Sequence, residues 1–412
     1  MRLRGEGRVA LAIVHDERSI AADPRDTVSS ALLRAGVVAT SRSLKFRRPR
    51  GPFCLRGDCG TCLVRVDGVP NLRACTTAIA DGMRTTPQNR MLDRGPDPTA
   101  LVDKMFGEGM DHHHFMVRPR LANRVMQEVA RNLAGLGTLP DAPPARPATH
   151  AHHDCDVLIV GAGAAGRAAA HELRAAGLVV EHVERSDRAQ QRCDDADVRF
   201  DTAVFGIYPD ERPRARRPGR VAAIERTRTT LVVHTFAPRH LLFATGARDV
   251  MLPLHDNDLP GVLAARGLLA MLRRIDGELA VPAVAVGTGD AARRVAEALG
   301  AELVAEQDIT AVLGGGRVEA VATRRGKLDA GIVAIAAPPA PASELARQAG
   351  ARVGWSGSGF PIVRDDDGRC AQASWTAWAC GEVAGTDEHA AESDGARVGA
   401  RIVAAIRSEV AR

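Results

Sequence analysis

The chain has 412 residues, too many for one ordinary domain, so two or three are expected. Its net charge of +5 is small for that length and its arginines are scattered among acids, while aromatics make up only 3 %; neither a basic footprint for nucleic acid nor a base-stacking surface is present. Hydrophobic residues at 45 % suffice for real cores, yet no apolar run approaches a membrane span and MRLRGEGRVA lacks the apolar stretch of a signal peptide, so a soluble cytoplasmic protein or a peripheral part of a larger assembly is expected.

In chain order, residues 1–95 read as a small β-rich domain. VALAIVHDERSI alternates around an acidic turn, as a hairpin does. TVSSALLRAG follows as a helix, with Asp26 as its expected cap and Gly36 at its end. Then comes FCLRGDCGTCLVRVDGVPNLRAC, in which Cys54, Cys59 and Cys62 form C-x4-C-x2-C and Cys75 follows after a hairpin around Asp67-Gly68. This is the plant-type [2Fe–2S] spacing. Thiolates are soft ligands suited to iron and sulfide. Three of them must wrap one rhomb from a single tight loop, and Gly57 and Gly60 sit where the chain must turn sharply. Zinc would prefer two C-x2-C knuckles, and only one is present. Arg47, Arg48, Arg50 and Arg56 make a basic patch beside the loop, read as a counterweight to a negative cluster or a dock for an acidic partner.

Residues 96–153 read as a linker carrying one bridging helix, with Leu121, Val125, Val129 and Leu133 on one stripe, followed by a Pro/Ala-rich stretch. His112–His114 and His150, His152 and His153 fall in sequence that reads as solvated loop rather than metal site. From residue 154 the texture becomes α/β. VLIV leads into Gly161-x-Gly163-x-x-Gly166, with Ala164 and Ala165 opening a helix; Glu184 and Arg185 end the next strand about twenty residues on. The first glycine permits the tight turn, the second lets backbone approach a pyrophosphate, and the third lets the helix pack close; Glu184 suits ribose hydroxyls. A β-meander follows, ending in Ala244-Thr245-Gly246.

A second strand–turn–helix–strand unit carries Gly287-x-Gly289-x-x-Ala292, with Glu306 as its ribose acid. Asp290 stands where a phosphate would be repelled, so NAD(H) binding and bare architecture stay open alternatives there. Cys380-Gly381-Glu382 precedes the last helix and suits contact with a flavin's ribityl and phosphate region. Cys155, Cys193, Cys370 and Cys380 show no Cys-x-x-Cys spacing, so no dithiol redox motif is expected. The order of motifs implies an FAD-binding domain over 154–252 and 358–412, interrupted by an inserted NAD-type domain over 253–357.

Taken together, the chain resembles the two-dinucleotide-binding flavoproteins. FATGARDVMLPLHDNDLPGV and FMVRPRLANRVMQEVARNLAGLG resemble segments of the α-type subunits of heteromeric sarcosine oxidase, opine oxidase, D-hydroxyproline dehydrogenase and hydrogen cyanide synthase. The fold class this implies is α/β: an N-terminal β-grasp ferredoxin-like domain followed by two-dinucleotide-binding (FAD/NAD) Rossmann-like domains. Unlike typical sarcosine oxidase α subunits, all four cluster cysteines are present here, while the aminomethyltransferase-like and BFD-like extensions of some relatives are not expected. The resemblance implies FAD and a [2Fe–2S] cluster in an electron-transfer subunit. Its partner would be an FAD-containing β subunit of the D-amino-acid-oxidase class, with a further small subunit in some assemblies. That partner would oxidise an amine or amino acid, so no catalytic residue is assigned on this chain. The alternative is a stand-alone NAD(P)H-dependent flavin reductase with a fused ferredoxin domain.

Overall fold

The structure is a computed structural model, and it describes residues 2–3, 11–43, 48–89, 147–188, 195–209, 219–226, 230–373 and 376–410. The expected bridging helix, His112–His114, Arg47 and Cys193 lie outside them. The chain divides into two compact units, Met1–Pro143 with Asp249–Ala337, and Pro144–Arg248 with Pro338–Arg412. Among the described residues no helix is long and apolar enough to cross a membrane.

In the first unit, after a two-residue strand at Arg2–Leu3, comes the antiparallel pair β1 (Leu11–His15) and β2 (Arg18–Ala22), which turn through Asp16 and Glu17 in left-handed backbone. Helix α1 (Val28–Arg34) is capped by Thr27, not Asp26. The Thr27 hydroxyl accepts the Ser30 N–H and Ser30 Oγ accepts the Thr27 N–H, which satisfies two backbone donors at once. Asp26, one residue too early to cap, accepts the Ser30 hydroxyl. Strands β3 (Leu63–Val66) and β4 (Val69–Arg73) form the expected hairpin, and β5 (Arg84–Pro87) completes a sheet in the order β2-β1-β5-β3-β4. Val64 and Val66 point inward from β3, in the alternation of a half-buried strand.

The second unit begins with β6 (Ala148–Val160), whose first residues were expected in a linker. His150, His152 and His153 therefore stand on a strand, not in a loop. The reason is non-local: β6 pairs in parallel with a strand eighty residues later along its whole length, Ala148 opposite Leu231 through Val160 opposite Phe243. After β6 come α2 (Ala164–Ala175), β7 (Val180–Val183) and β8 (Val198–Arg199). The meander β9 (Thr202–Pro209), β10 (Gly219–Arg226) and β11 (Leu231–Phe243) follows, giving the order β8-β7-β6-β11-β10-β9.

The chain then re-enters the first unit. Strand β12 (Val262–Ala264), α3 (Ala265–Ile275), β13 (Ala283–Val286), α4 (Gly289–Leu299) and β14 (Glu302–Val304) alternate. An antiparallel trio follows, β15 (Ile309–Leu313), β16 (Ala320–Thr323) and β17 (Gly326–Asp329), before β18 (Ile332–Ile335) completes the parallel sheet β12-β18-β13-β14. Its apolar face shares one core with the N-terminal domain, in which Ile13, Leu32, Leu55, Val64 and Ile79 pack with Leu263, Leu268, Met271, Ala285 and Ala334. Arg48 bonds Asp256 and Asp258, the latter at 2.9 Å, and Arg50 also bonds Asp258. Two members of the expected basic patch are thus engaged inside the chain.

Back in the second unit, α5 (Glu344–Gln348), β19 (Ala377–Ala379), which pairs with β11, and α6 (Ala391–Val410) close the fold. Residues 338–357 group here, not with the inserted segment, because Ala247–Arg248 pair antiparallel with Ala340–Pro341 and the Ala342 N–H bonds the Gly246 carbonyl at 3.0 Å. Helix α6 packs on α2 through bare backbone: a Cβ at Gly395 would fall 2.1 Å from the Ala165 carbonyl oxygen. Gly395→Ala should therefore destabilise the second unit by about 1–3 kcal/mol, read as a lower urea midpoint by circular dichroism; an unchanged midpoint would remove this contact from the account.

Candidate functional site

The four cysteines come together around one loop. Leu55, Gly57 and Gly60 all adopt left-handed backbone, at φ of 54°, 83° and 68°, which coils residues 54–62 tightly. Gly57 has no room for a side chain, since its Cβ would lie 2.8 Å from Thr76 Cγ2 beside Cys75. The Asp58 and Cys59 N–H groups donate to Cys54 Sγ at 3.2 and 3.4 Å, an arrangement that favours a thiolate. Cys54, Cys62 and Cys75 are buried and Cys59 is exposed; none is in a disulfide.

The thiols interact directly. Cys54 is held well below the usual thiol range, first by its hydrogen bond with Cys59 and then by Cys75, while burial opposes. Cys59 moves the other way because it shares its proton with Cys54. Cys62 is lowered by Cys75, and Cys75 is raised by Cys54 and Cys62. Among the described residues no three His, Cys, Asp or Glu side chains converge on a single metal ion. The thiols neighbour one another in a chain, Cys59 with Cys54, Cys54 with Cys75 and Cys75 with Cys62, so the four lie together as one donor set. The donor set, the backbone N–H groups aimed at sulfur and the tight loop fit a [2Fe–2S] cluster.

In the second unit, the first glycine loop lies at the carboxyl ends of parallel strands, where α/β sheets bind ligands. Gly161, at φ 107°, passes so close to the end of β11 that a Cβ would fall 2.3 Å from the Ala244 carbonyl oxygen. Gly166 packs α2 onto that turn, its Cβ position 2.0 Å from the Gly161 carbonyl oxygen. Gly163 faces open space and begins α2 without a side-chain cap, leaving the N–H groups of Ala164, Ala165 and the first turn for an anion. Glu184 is buried at the end of β7, and its Oε2 accepts the Ala162 N–H at 2.8 Å, so the acid and the loop are joined; Arg185 is exposed next to it.

Thr245 and Gly246 follow β11, and the Thr245 hydroxyl donates to the Ala342 carbonyl at 2.7 Å. Glu382 Oε2 lies 3.7 Å from the Cβ position of Gly246, and the Cβ position of Gly381 lies 2.9 Å from Ala165. Gly161–Gly166, Glu184, Thr245–Gly246 and Gly381–Glu382 are therefore gathered at one end of one sheet. These residues fit a dinucleotide such as FAD: open backbone for a pyrophosphate, an acid for ribose hydroxyls and small residues around both.

Two supports of this site escaped the sequence reading. Asp394 accepts the Gly381 N–H at 2.8 Å and hydrogen bonds from Arg364, Thr386 and Arg397. Burial pushes its carboxyl upward, but Arg364 and the Gly381 amide outweigh that and hold it below the usual carboxylate range. His182, fully buried on β7, bonds the Gly161 carbonyl through Nε2 at 2.9 Å, while its Nδ1 is buried with no partner. Nε2 therefore carries the proton and donates. Its only sequence signal is its place two residues before Glu184. Cys370 and Cys380 are both pushed up to about 12 by burial, so neither is a ready thiolate.

The second glycine motif stands in the first unit. Gly287 hugs the Ala336 carbonyl oxygen, 2.7 Å from its Cβ position, and Gly289 faces open space at the start of α4. Asp290 pairs with Arg293 in the first turn. Glu306 is exposed in a 3-10 turn, and among the described residues no hydrogen bond joins it to the loop. The acid–loop connection of the first motif is not repeated.

The chain is similar to several known proteins. Residues 8–90 match a family described as a 2Fe-2S iron-sulfur cluster binding domain. Sarcosine oxidase subunit alpha of Rhizobium meliloti is 29 % identical over 309 residues, 65 % of this chain and 30 % of that protein. Hydrogen cyanide synthase subunit HcnA of Pseudomonas aeruginosa is 32 % identical over 91 residues, 22 % of this chain and 86 % of that protein. The crystal structure of L-proline dehydrogenase from P. horikoshii superposes with a TM-score of 0.70 at 18 % identity, covering 98 % of this chain and 76 % of that one, a likeness of fold. The chain spans 30 % of the length of the sarcosine oxidase α subunits it matches.

His182 also sets a pH limit. Burial, opposed by the Gly161 carbonyl, lowers its pKa from 6.5 to about 4, so the unfolded chain takes up a proton that the folded chain refuses. Stability is then intact above pH 6.5 and falls as pH drops through the window from 6.5 to 4, by up to about 3 kcal/mol. Urea titrations across that window should show the loss, and His182→Gln, which keeps a donor but not the titration, should flatten it; parallel slopes in both proteins would reject the assignment.

Proposed function

Because the chain belongs to the α-type subunit family of heteromeric sarcosine oxidase and hydrogen cyanide synthase, we propose that it is the iron–sulfur and flavin electron-transfer subunit of a multimeric oxidase or dehydrogenase acting on an amine or amino acid. The observation that carries this reading is the pairing, in one chain, of a four-thiol loop shaped for a two-iron cluster with a glycine loop and acid shaped for FAD. When bound, FAD would supply two-electron chemistry and the cluster one-electron chemistry, so an electron pair taken from an organic donor leaves as single electrons.

The chain's own residues bind and orient. Cys54, Cys59, Cys62 and Cys75 hold the cluster, and the Asp58 and Cys59 amides donate to the Cys54 sulfur. The Gly161–Gly166 turn and the uncapped start of α2 receive the pyrophosphate of FAD, and Glu184 receives a ribose hydroxyl. Thr245, Gly246, Gly381 and Glu382 line the approach, fixed from behind by Asp394 and His182. Burial holds the Cys370 and Cys380 thiols protonated, so neither is a ready thiolate beside the loop. The substrate pocket is assigned to a flavoprotein β subunit of the D-amino-acid-oxidase class. The less regular acid at the second motif supports an NAD-type domain kept as architecture.

An anaerobic titration of the purified chain tests this. NADH should leave the flavin and the cluster oxidised, while dithionite reduces both; stoichiometric bleaching by NADH would overturn the relay reading in favour of a stand-alone NAD(P)H reductase. Cys62→Ser should lower bound iron at least several-fold with flavin content retained, measured by iron analysis and absorbance.

A further inference from the structure

Groups beyond the four cysteines crowd the cysteine loop. Helix α3 starts directly after β12, and its third residue, Gly267, lies so close to the loop that a Cβ would fall 1.9 Å from the Cys54 carbonyl oxygen and 3.3 Å from Leu55 Cβ. The preceding Ala264 N–H donates to the Phe53 carbonyl at 2.9 Å. The first turn of α3 is thus built against Phe53, Cys54 and Leu55, with the positive end of its macrodipole beside them.

Two charged side chains come with that turn. Arg266 is the residue before Gly267. Asp249, the first residue of the returning segment, interacts electrostatically with Arg266, Arg56, Cys54 and Asp58. Asp249 Oδ2 is shielded from solvent and accepts no hydrogen bond among the described residues. A carboxylate oxygen kept for structure normally accepts hydrogen bonds when buried. Burial pushes its carboxyl upward, while the charges of Arg56 and Arg266 pull it back, in a place where water and salt screen little.

We propose that Asp249 and Arg266 are a tuning pair for the cluster at Cys54, Cys59, Cys62 and Cys75, Asp249 lowering its reduction potential and Arg266 raising it, while bare Gly267 lets the first turn of α3 lie against the loop. The inference rests on the cluster assignment made above. Reduction adds one negative charge to the cluster, and such potentials follow local charge, hydrogen bonds to sulfur and solvent exposure. A carboxylate beside the loop disfavours the added electron and a guanidinium favours it. The sequence offered no hint of this, because residues 54 and 249 are joined only by the fold.

The test is an EPR-monitored redox titration of the full chain with dithionite, after iron and sulfide analysis and absorbance have established the cluster. Asp249→Asn should shift the midpoint potential upward and Arg266→Gln downward, with the double variant near the parent and all three keeping the parent's iron content. A loaded cluster whose potential does not move, or moves the same way in both variants, would overturn the proposal. If one variant loses iron, the sign of the shift in the other decides. A parent chain without iron would overturn the cluster reading itself, and this inference with it.

Discussion

The first unit depends on one hydrophobic core made from two distant stretches of chain. Leu55, Cys62 and Cys75 from the cysteine region pack in the same cluster as Leu263, Leu268 and Leu272 from β12 and α3. An N-terminal domain of under a hundred residues has limited apolar surface to bury on its own. Here it borrows the face of a parallel sheet. The Arg48–Asp256 and Arg48–Asp258 pairs and the Ala264–Phe53 hydrogen bond then fix the register of that packing. The loop that gathers the thiols is therefore supported on both sides, by its own hairpin and by α3.

In the second unit the controlling feature is close backbone approach. Gly161, Gly166, Gly381 and Gly395 stand where carbonyl oxygens or Ala165 come nearer than any side chain would permit. These approaches draw the ends of β6, β7, β11 and β19 together. His182 and Asp394 then hold the two turns from below, each through one short bond to a glycine of the loop it supports. The two acids are held differently: Glu184 accepts a backbone amide of the loop, whereas Asp394 also pairs with Arg364 and Arg397.

Much of this was legible locally. C-x4-C-x2-C, the glycine triplet after VLIV and the second strand–turn–helix unit carry their meaning in spacing, because loop geometry and the 3.6-residue turn act over a few residues. What was hidden is what comes from far away. The strand containing His150, His152 and His153 exists because Leu231–Phe236 pair with it, and its own composition reads as a linker. Thr27 in place of Asp26 as the cap is a one-residue matter of which hydroxyl reaches Ser30. Arg48 and Arg50 looked like a surface patch because their acids are some two hundred residues away. The boundary of the inserted segment moved to Ala337 because a two-residue pairing, Ala247–Arg248 with Ala340–Pro341, leaves no periodicity to read.

The first unit is discontinuous, interrupted by residues 144–248. On a ribosome adding about 5–20 residues per second, Leu263 emerges roughly 10–40 s after Cys75. During that interval the cysteine hairpin is exposed without α3 behind it, and its apolar residues lack the neighbours that β12 and α3 later bring into the core. Completion of the thiol loop is therefore coupled to synthesis of a segment far downstream. Premature termination before about residue 275 would leave the N-terminal domain with its core unfinished, even though all four cysteines had been made.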